Sequence, residues 1–456
     1  MSGPRHVKPV DAVNRMTRQW IRTCPDQSSV FCAPSAWPLL GLLAHAADGP
    51  GRKELEHAVG LPANDARAGA LEILGLLREM TATNSALGIW ARAQCPLDPP
   101  WTTGLPLGTV GHLTGDPVRD GPLLDGWARQ HTGGLIEKMP VEVDDETLLV
   151  LATAMSVRTS WIRPFTESGY PTWSDEGVWR DRRYYTLWRA SRIVDRVSVA
   201  ATNHGEITCL EILGKEGVTV HLVIGEQGRS AREVLEGGLL ARSGYGRRGG
   251  ELRIGETAPA LAVERVPDNE PDDRLLIHMP RFSVDASHDL LEHPEVFGLD
   301  TVTDRLRGHF PAISAQPLAV SQARQSAAAR FTAKGFEAAA VTAIALMAGG
   351  MPPVPPRRVK QIRVELDRPF GFFASHRASG LILAAGWVAE PEAYEPTVED
   401  LEVRASLREL ARSGREVRDR DRQAGLLGER GQFGLPGPGA VAVGAAGVAG
   451  DQKPAG

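Results

Sequence analysis

Between residues 65 and 80 the apolar side chains Ala70, Ile73, Leu74, Leu77 and Met80 recur at steps of three and four, which predicts an amphipathic helix packed on a core. From Gly217 the period changes. Val218, Val220, Leu222 and Ile224 are separated by Thr219, His221 and Val223, close to the alternation of a half-buried strand. Residues 275–282 also read as one strand, and residues 381–388 are almost continuously apolar, the signature of a strand buried on both faces. Helical patterns dominate the first third and strands come later, without regular alternation, so the predicted class is α+β. Beyond about residue 391 the pattern thins. Leu401, Val403, Leu407 and Leu410 line a short helical stripe ahead of a charged run over 415–422, and residues 434–456 are mostly Gly, Ala, Val and Pro without a period. The expected organisation is therefore a main domain over residues 1–395, a charged appendage with a helical pattern over 396–432, and a disordered Gly/Ala-rich tail over 433–456.

Composition narrows the partners. The 456 residues are 42% hydrophobic and 23% charged, with 51 Lys and Arg against 56 Asp and Glu. A net charge of −5 is the opposite of the basic footprint that phosphate backbones select, so no nucleic-acid partner is expected. No run of eighteen apolar residues occurs, so no membrane partner is expected either. No apolar segment precedes the polar stretch 11–22, so a standard secretory leader is not visible and a cytoplasmic setting is the first expectation. Cys24, Cys32, Cys95 and Cys209 lie far apart without a CxxC pair, which fits buried, reduced thiols better than a disulfide frame or a zinc site.

Enzymatic signatures are missing. Gly244, Gly246 and Gly249 match GxGxxG, but they follow the helical pattern 231–242 instead of a strand, so a surface loop is expected. The twelve histidines form no HExxH, and no serine sits in GxSxG. Asp144, Asp145 and Glu146 precede the apolar run 148–154 as a solvated turn and cap would. No catalytic residue, metal or other cofactor is predicted, and the chain does not read as an enzyme.

One segment stands out: Ala333-Lys334-Gly335-Phe336-Glu337-Ala338-Ala339-Ala340-Val341-Thr342-Ala343, then residues 344–351, then Pro352-Pro353-Val354-Pro355-Pro356. Alone, an alanine run favours helix. Its flanks place it differently. Residues 29–35 (Ser-Val-Phe-Cys-Ala-Pro-Ser) and 51–55 (Gly-Arg-Lys-Glu-Leu) resemble consecutive segments of the serpin family, the serine protease inhibitors. So do Trp127 with residues 132–136, the strand 149–154 running on to Trp161 and Phe165, residues 277–284, residues 364–373, and the last strand 381–388. The landmarks occur in the family's order, and the chain resembles a bacterial-type serpin with a C-terminal extension. The resemblance also keeps an extracellular setting open.

The resemblance implies three β-sheets, a helical shell and an exposed reactive-centre loop at about residues 335–355. A protease cuts the loop, and the freed strand enters the central sheet while the acyl bond still holds the enzyme. The implied hinge is Gly335, Phe336, Glu337, Ala338, Ala339, Ala340, Val341 and Thr342, whose small side chains suit a threading strand. The prolines from Pro352 onward mark where a ladder cannot continue. Counted fourteen residues on from Gly335 in the family's spacing, the scissile bond joins Gly349 to Gly350. Ala345, Leu346, Met347, Ala348 and Met351 are the expected contacts to the target, and cutting after Met347 or Met351 is the alternative. Glycine before the cut disfavours trypsin-like enzymes, so an elastase-like or subtilisin-like serine protease is the expected partner of a monomeric inhibitor. The sheet-opening region maps to Ser35, Thr153, Trp161 and Gln325, with Thr153 where the family has Asn, Cys32 where it has Ser, and Gln325 in place of His. The family places a small Thr or Ser where Phe336 stands, so the ring is expected to enter with the loop and crowd the sheet. That crowding, together with the absence of a side chain at Gly349, supports a second reading: a non-inhibitory, serpin-fold binding or scaffold protein cut as an ordinary substrate.

Overall fold

The computed structural model describes residues 8–134, 136–144, 146–168, 178–180, 182–268, 270–336 and 357–395, and the backbone of 172–173. The architecture below is that of the unit ending at Tyr394; the appendage expected over 396–432 and the tail expected over 433–456 lie outside the described residues.

Helices come first. Pro9–Ile21, Ala33–Ala46, Gly49–Val59 and Ala63–Glu79 occupy the start of the chain. The last covers the stripe read over 65–80 and buries Ala70, Ile73, Leu74 and Leu77. Ala33–Ala46 is apolar nearly all round and buries residues on every side, as a helix enclosed by other elements must.

Strands form the remainder. A seven-stranded sheet runs in the order Ser29–Phe31, Ile382–Val388, Phe370–His376, Val218–Ile224, Gly205–Leu213, Val197–Thr202 and Arg247–Arg248. Its central members are the strands whose apolar runs were legible: Ile382–Val388 is buried at every position, and Val218–Ile224 at all but His221. A six-stranded sheet has the order Thr257–Ala258, Leu261–Asp268, Arg357–Glu365, Arg274–Pro280, Thr186–Ser191 and Thr166–Glu167. The single strand expected over 275–282 is two strands, Arg274–Pro280 and Phe282–Asp289, which belong to different sheets and meet at Arg281. Proline ends the first ladder because it has no N–H to donate. Phe282, Phe331, Phe370 and Phe372 then knit the sheets together, with Phe282 stacked 5.4 Å from Phe331 and 5.4 Å from Phe372.

The first half of the glycine motif is the expected surface loop, but Arg247–Arg248 form the edge strand of the seven-stranded sheet and Gly249 opens a 3-10 turn, buried. The motif follows helix Ala231–Ala241, residues 243–248 are exposed, and Gly244 and Gly246 take φ of 89° and 113°. Among the described residues no helix is long and apolar enough to cross a membrane, and no cluster of three or more His, Cys, Asp or Glu could hold a metal. The four cysteines are free; burial pushes the thiols of Cys24, Cys32 and Cys209 up to about 12, so they stay protonated at neutral pH.

Candidate functional site

The main sheet is open. One half orders Val110–Leu113, Thr83–Arg92 and Leu149–Val157; the other orders Phe282–Asp289, Arg324–Phe331, Gly335–Phe336 and Thr159–Ser160. Leu149–Val157 pairs along one edge with Thr83–Arg92, and Arg324–Phe331 pairs along one edge with Phe282–Asp289. Their other edges face each other across a slot, and among the described residues no ladder joins them. The slot holds a cavity of about 360 Å³, lined by Leu151, Thr153 and Met155 from one wall, Gln325 and Ala327 from the other, and Leu39, Leu40 and Leu43 of helix Ala33–Ala46 beneath.

Three ties hold the walls. At the mouth, the chain turns back after Phe331 through Thr332, whose N–H donates to the Gly335 carbonyl at 2.9 Å. Gly335 and Phe336 then lie between Arg324–Phe331 and Thr159–Ser160, with Phe336 opposite Phe331 on one side and opposite Thr159 on the other. Only glycine fits at 335, because a Cβ there would stand 2.4 Å from the Thr159 carbonyl oxygen. Trp161 braces the same corner: its indole N–H donates to Thr332 O at 2.9 Å and its backbone N–H to Lys334 O at 2.9 Å. Its ring lies 4.5 Å from that of Phe331. Glu216 accepts from the Thr159 hydroxyl and, at 3.1 Å, from Ser160 N–H. Burial pulls this carboxyl up, but the hydrogen bonds it accepts and neighbouring Lys215 outweigh that, and its pKa lies below the ordinary value.

Midway, the start of helix Ala33–Ala46 is bonded to both walls. Thr153 donates to Ser35 O at 2.5 Å, and its oxygen lies 2.9 Å from Ser35 Oγ. Gln325 Oε1 accepts from Cys32 N–H at 3.0 Å, and Gln325 Nε2 donates to Cys32 O at 2.9 Å. Beside them His288 Nε2 donates to Val30 O at 2.8 Å. At the far end Gln322 mimics a strand: Glu142 N–H donates to Gln322 Oε1 at 3.0 Å and Gln322 Nε2 donates to Glu142 O at 2.9 Å. The outer face of the wall Leu149–Val157 is covered by helix Pro117–Thr132, where Val150 and Ala152 pack with Leu124, Trp90 and Trp127.

The structure thus places Ser35, Thr153 and Gln325 on one slot, the first two in direct contact and Gln325 on the opposite wall, while Trp161 braces the corner at its mouth. Gly335 and Phe336 are corrected from exposed loop to buried strand. The Phe336 ring is 2% exposed and sits 6.1 Å from Phe372, so it already occupies the sheet it was expected to crowd on entry. Glu337, Ala338, Ala339, Ala340, Val341, Thr342, Ala345, Leu346, Met347, Ala348, Gly349, Gly350 and Met351 lie outside the described residues. Sequence reasoning missed Glu216 and the Glu142–Gln322 clasp; both are lone polar residues in loops, with no spacing that marks them.

Among the described residues this is an α+β fold in which no ladder joins the two walls of the main sheet, with Gly335–Phe336 paired at the mouth of the slot. A family model described as "Serpin (serine protease inhibitor)" matches residues 257–391. Protein Z-dependent protease inhibitor of Pongo abelii is 21% identical over 271 residues, 59% of this chain and 54% of that protein. Human glia-derived nexin is 30% identical over 120 residues, covering 26% and 28%. The chain thus spans about half of the first of these relatives and a smaller part of the second. Among solved structures, thyroxine-binding globulin in complex with thyroxine superposes with a TM-score of 0.63 at 15% identity, covering 84% of this chain and 98% of that one. Native protease nexin-1 with heparin gives 0.62 at 18% identity, with the same coverage. Residues 257–391 are thus similar to the serpin family, and the fold is shared with these solved structures.

Proposed function

We propose that this chain inhibits serine proteases as a suicide substrate, by taking its own cut loop into the open slot of the main sheet. The observation that carries the reading is the register at the mouth. Gly335–Phe336 is antiparallel to both flanking strands, so the two walls run parallel to each other and one strand can be antiparallel to both. Continuing the pairing of Phe336 with Phe331 and with Thr159 residue by residue brings Ala338 between Ala329 and Val157, Ala340 between Ala327 and Met155, and Thr342 between Gln325 and Thr153. These residues share the inward face of Phe336 because a strand alternates. The two alanines fit above helix Ala33–Ala46 without displacing it, and Thr342 arrives at the two polar pins with a hydroxyl able to join them. The same register brings residue 346 opposite Leu149, so residues 337–346 would fill the slot. Insertion satisfies the N–H and C=O groups of both wall edges together with its own, the gain that draws the strand in.

The chemistry belongs to the target. Its serine attacks the carbonyl carbon of the scissile residue, the amide bond breaks, and the new amine leaves with the C-terminal fragment. The ester joining the serine to Gly349 then moves away with the inserting strand before water completes hydrolysis. The small to medium apolar side chains of Ala345, Leu346, Met347 and Ala348, with none at Gly349, fit an elastase-like or subtilisin-like enzyme, acting on a monomeric inhibitor. Mixing the chain with such proteases is expected to give an SDS-resistant covalent adduct whose released peptide begins at Gly350. Clean cleavage without adduct across the panel would remove the inhibitor reading. The scaffold reading retains one argument, the absence of a side chain at Gly349.

A further inference from the structure

Phe282–Asp289 is the outermost strand of its half of the main sheet, and beside it, one strand removed from the slot, lies a second cavity of about 370 Å³. Its floor is aromatic. Trp20, near the end of helix Pro9–Ile21, stacks on Phe31 at 5.1 Å and meets Phe297 edge-on at 4.9 Å; all three are buried and line the cavity. Ser29 shares the face of Phe31 because side chains alternate along a strand. It lines the same cavity at 3% exposure, and its hydroxyl oxygen has no hydrogen-bond partner. A buried polar atom left without a partner is costly, so this one points to something that fills the space beside it.

His288 supplies a second acceptor. Its ring stands edge-on to Trp20 at 5.4 Å, and because Nε2 donates to Val30 O at 2.8 Å, Nδ1 keeps its lone pair. Burial lowers the pKa of this imidazole, so the ring is neutral at pH 7. The rim is acidic. Asp285 and Glu292 line the cavity as exposed residues, and neither makes a hydrogen bond or an ion pair among the described residues. The other titratable groups are already engaged or neutral. Asp289 accepts from Leu291 N–H at 3.0 Å and lies 3.7 Å from Arg324, His293 lies 3.7 Å from Glu295, and Cys24 is a protonated thiol. No lysine or arginine is among the lining residues.

The free groups are therefore acceptors and anions, matched to a ligand that donates hydrogen bonds and carries positive charge. A bare metal ion has no ligand set here, since no three His, Cys, Asp or Glu converge among the described residues. An organic cation suits the aromatic floor, where ring faces attract an ammonium group and cover methylenes, and the volume lies within the roughly 300–1,000 Å³ of small-molecule sites. The acceptors stand at two depths, Ser29 and His288 at the floor and the two carboxylates at the rim. Two ammonium ends joined by an apolar chain fit both.

We propose that this cavity binds a straight-chain diamine or polyamine, with one ammonium on Ser29 Oγ and His288 Nδ1 and another beside Asp285 and Glu292. The site does not depend on the insertion reading. The test titrates putrescine into the uncut full chain by calorimetry at constant ionic strength, with butylamine as the one-ended control and butanol as the uncharged one. Putrescine is expected to saturate with a Kd of about 1 mM or tighter, followed by butylamine and then butanol. Asp285→Asn combined with Glu292→Gln is expected to weaken putrescine by about tenfold, two exposed ion pairs' worth, and to leave the melting temperature unchanged because neither side chain has a partner to lose. Ser29→Ala should weaken putrescine and butylamine alike, by about threefold. Hydrogen exchange on the unmodified protein gives a readout independent of the variants: putrescine should slow residues 23–29 and 285–293 and leave the edge strand Val110–Leu113 unchanged. No saturable heat up to about 10 mM putrescine overturns the proposal and leaves water as the occupant. Butanol binding as tightly as putrescine overturns the cationic ligand. Binding that the double variant does not weaken, or protection that falls elsewhere, means diffuse attraction to a chain of net charge −5 and overturns the site.

Discussion

Replacing Phe336 by alanine separates two descriptions of the hinge. In the structure the ring is buried at 2% exposure between Phe331 and Thr159 and near Phe372, and no step of insertion moves it. Truncating a fully buried Phe costs ~3–5 kcal/mol through lost contacts and the cavity left behind. For a domain of this length, with an unfolding entropy of ~2.1 cal/mol/K per residue, about 4 kcal/mol lowers the melting temperature by about 5 °C. The loss should appear equally in the uncut and the cut protein, because the ring occupies the same place in both. Melting curves of wild type and Phe336→Ala, each before and after limited cutting with elastase, therefore predict two parallel drops and an unchanged increment on cutting. If the uncut variant melted within a degree of wild type while the increment on cutting grew, Phe336 would be entering with the loop, and the hinge described above would be wrong.

Three further outcomes follow from the same geometry. Ala340→Arg would bring an unpaired guanidinium between Ala327 and Met155 on insertion, a burial that costs several kcal/mol; the variant should be cut at the normal rate yet give neither adduct nor a rise in melting temperature. Gly335→Ala must displace the Thr159 carbonyl it would approach to 2.4 Å, and should loosen the mouth, read as faster amide exchange at Ser160 and Phe336 with the seven-stranded sheet unaffected. Because the pKa of Glu216 is lowered in the fold, the stability it lends the hinge is present above its ordinary value of 4.5 and is lost as pH falls through the lowered one. Trp161 fluorescence should report an acid transition below pH 4.5, and Glu216→Gln should shift or remove it.

The sequence disclosed the parts of the fold whose period is set by burial. Val218–Ile224 and the buried strand Ile382–Val388 were readable because apolar side chains must recur where both or alternate faces are dry. Local pattern could not show that residues 275–282 change sheets at Arg281, since both strands share the same alternation and only their partners differ. The pins were legible as residues and not as bonds. Thr153 and Gln325 stand where the resemblance marks the sheet centre, yet each bonds to the helix start at Ser35 or Cys32 instead of across the slot. Phe336 was misplaced because a small-residue run reads as loop or as strand according to what pairs with it. The cavity beside Phe282–Asp289 gave no signal at all: Trp20, Ser29, His288 and Glu292 belong to separate segments of the chain, and their convergence exists only after folding.

The most direct test of the central claim is amide hydrogen exchange on the two slot walls, Leu149–Val157 and Arg324–Phe331, compared before and after the loop is cut. A strand taken up between them should slow exchange of the slot-facing amides of both walls by roughly a hundredfold or more, in line with a shift from local opening to global unfolding. Exchange that stays equally fast after cutting would mean that the slot remains empty and that the loop is only a substrate.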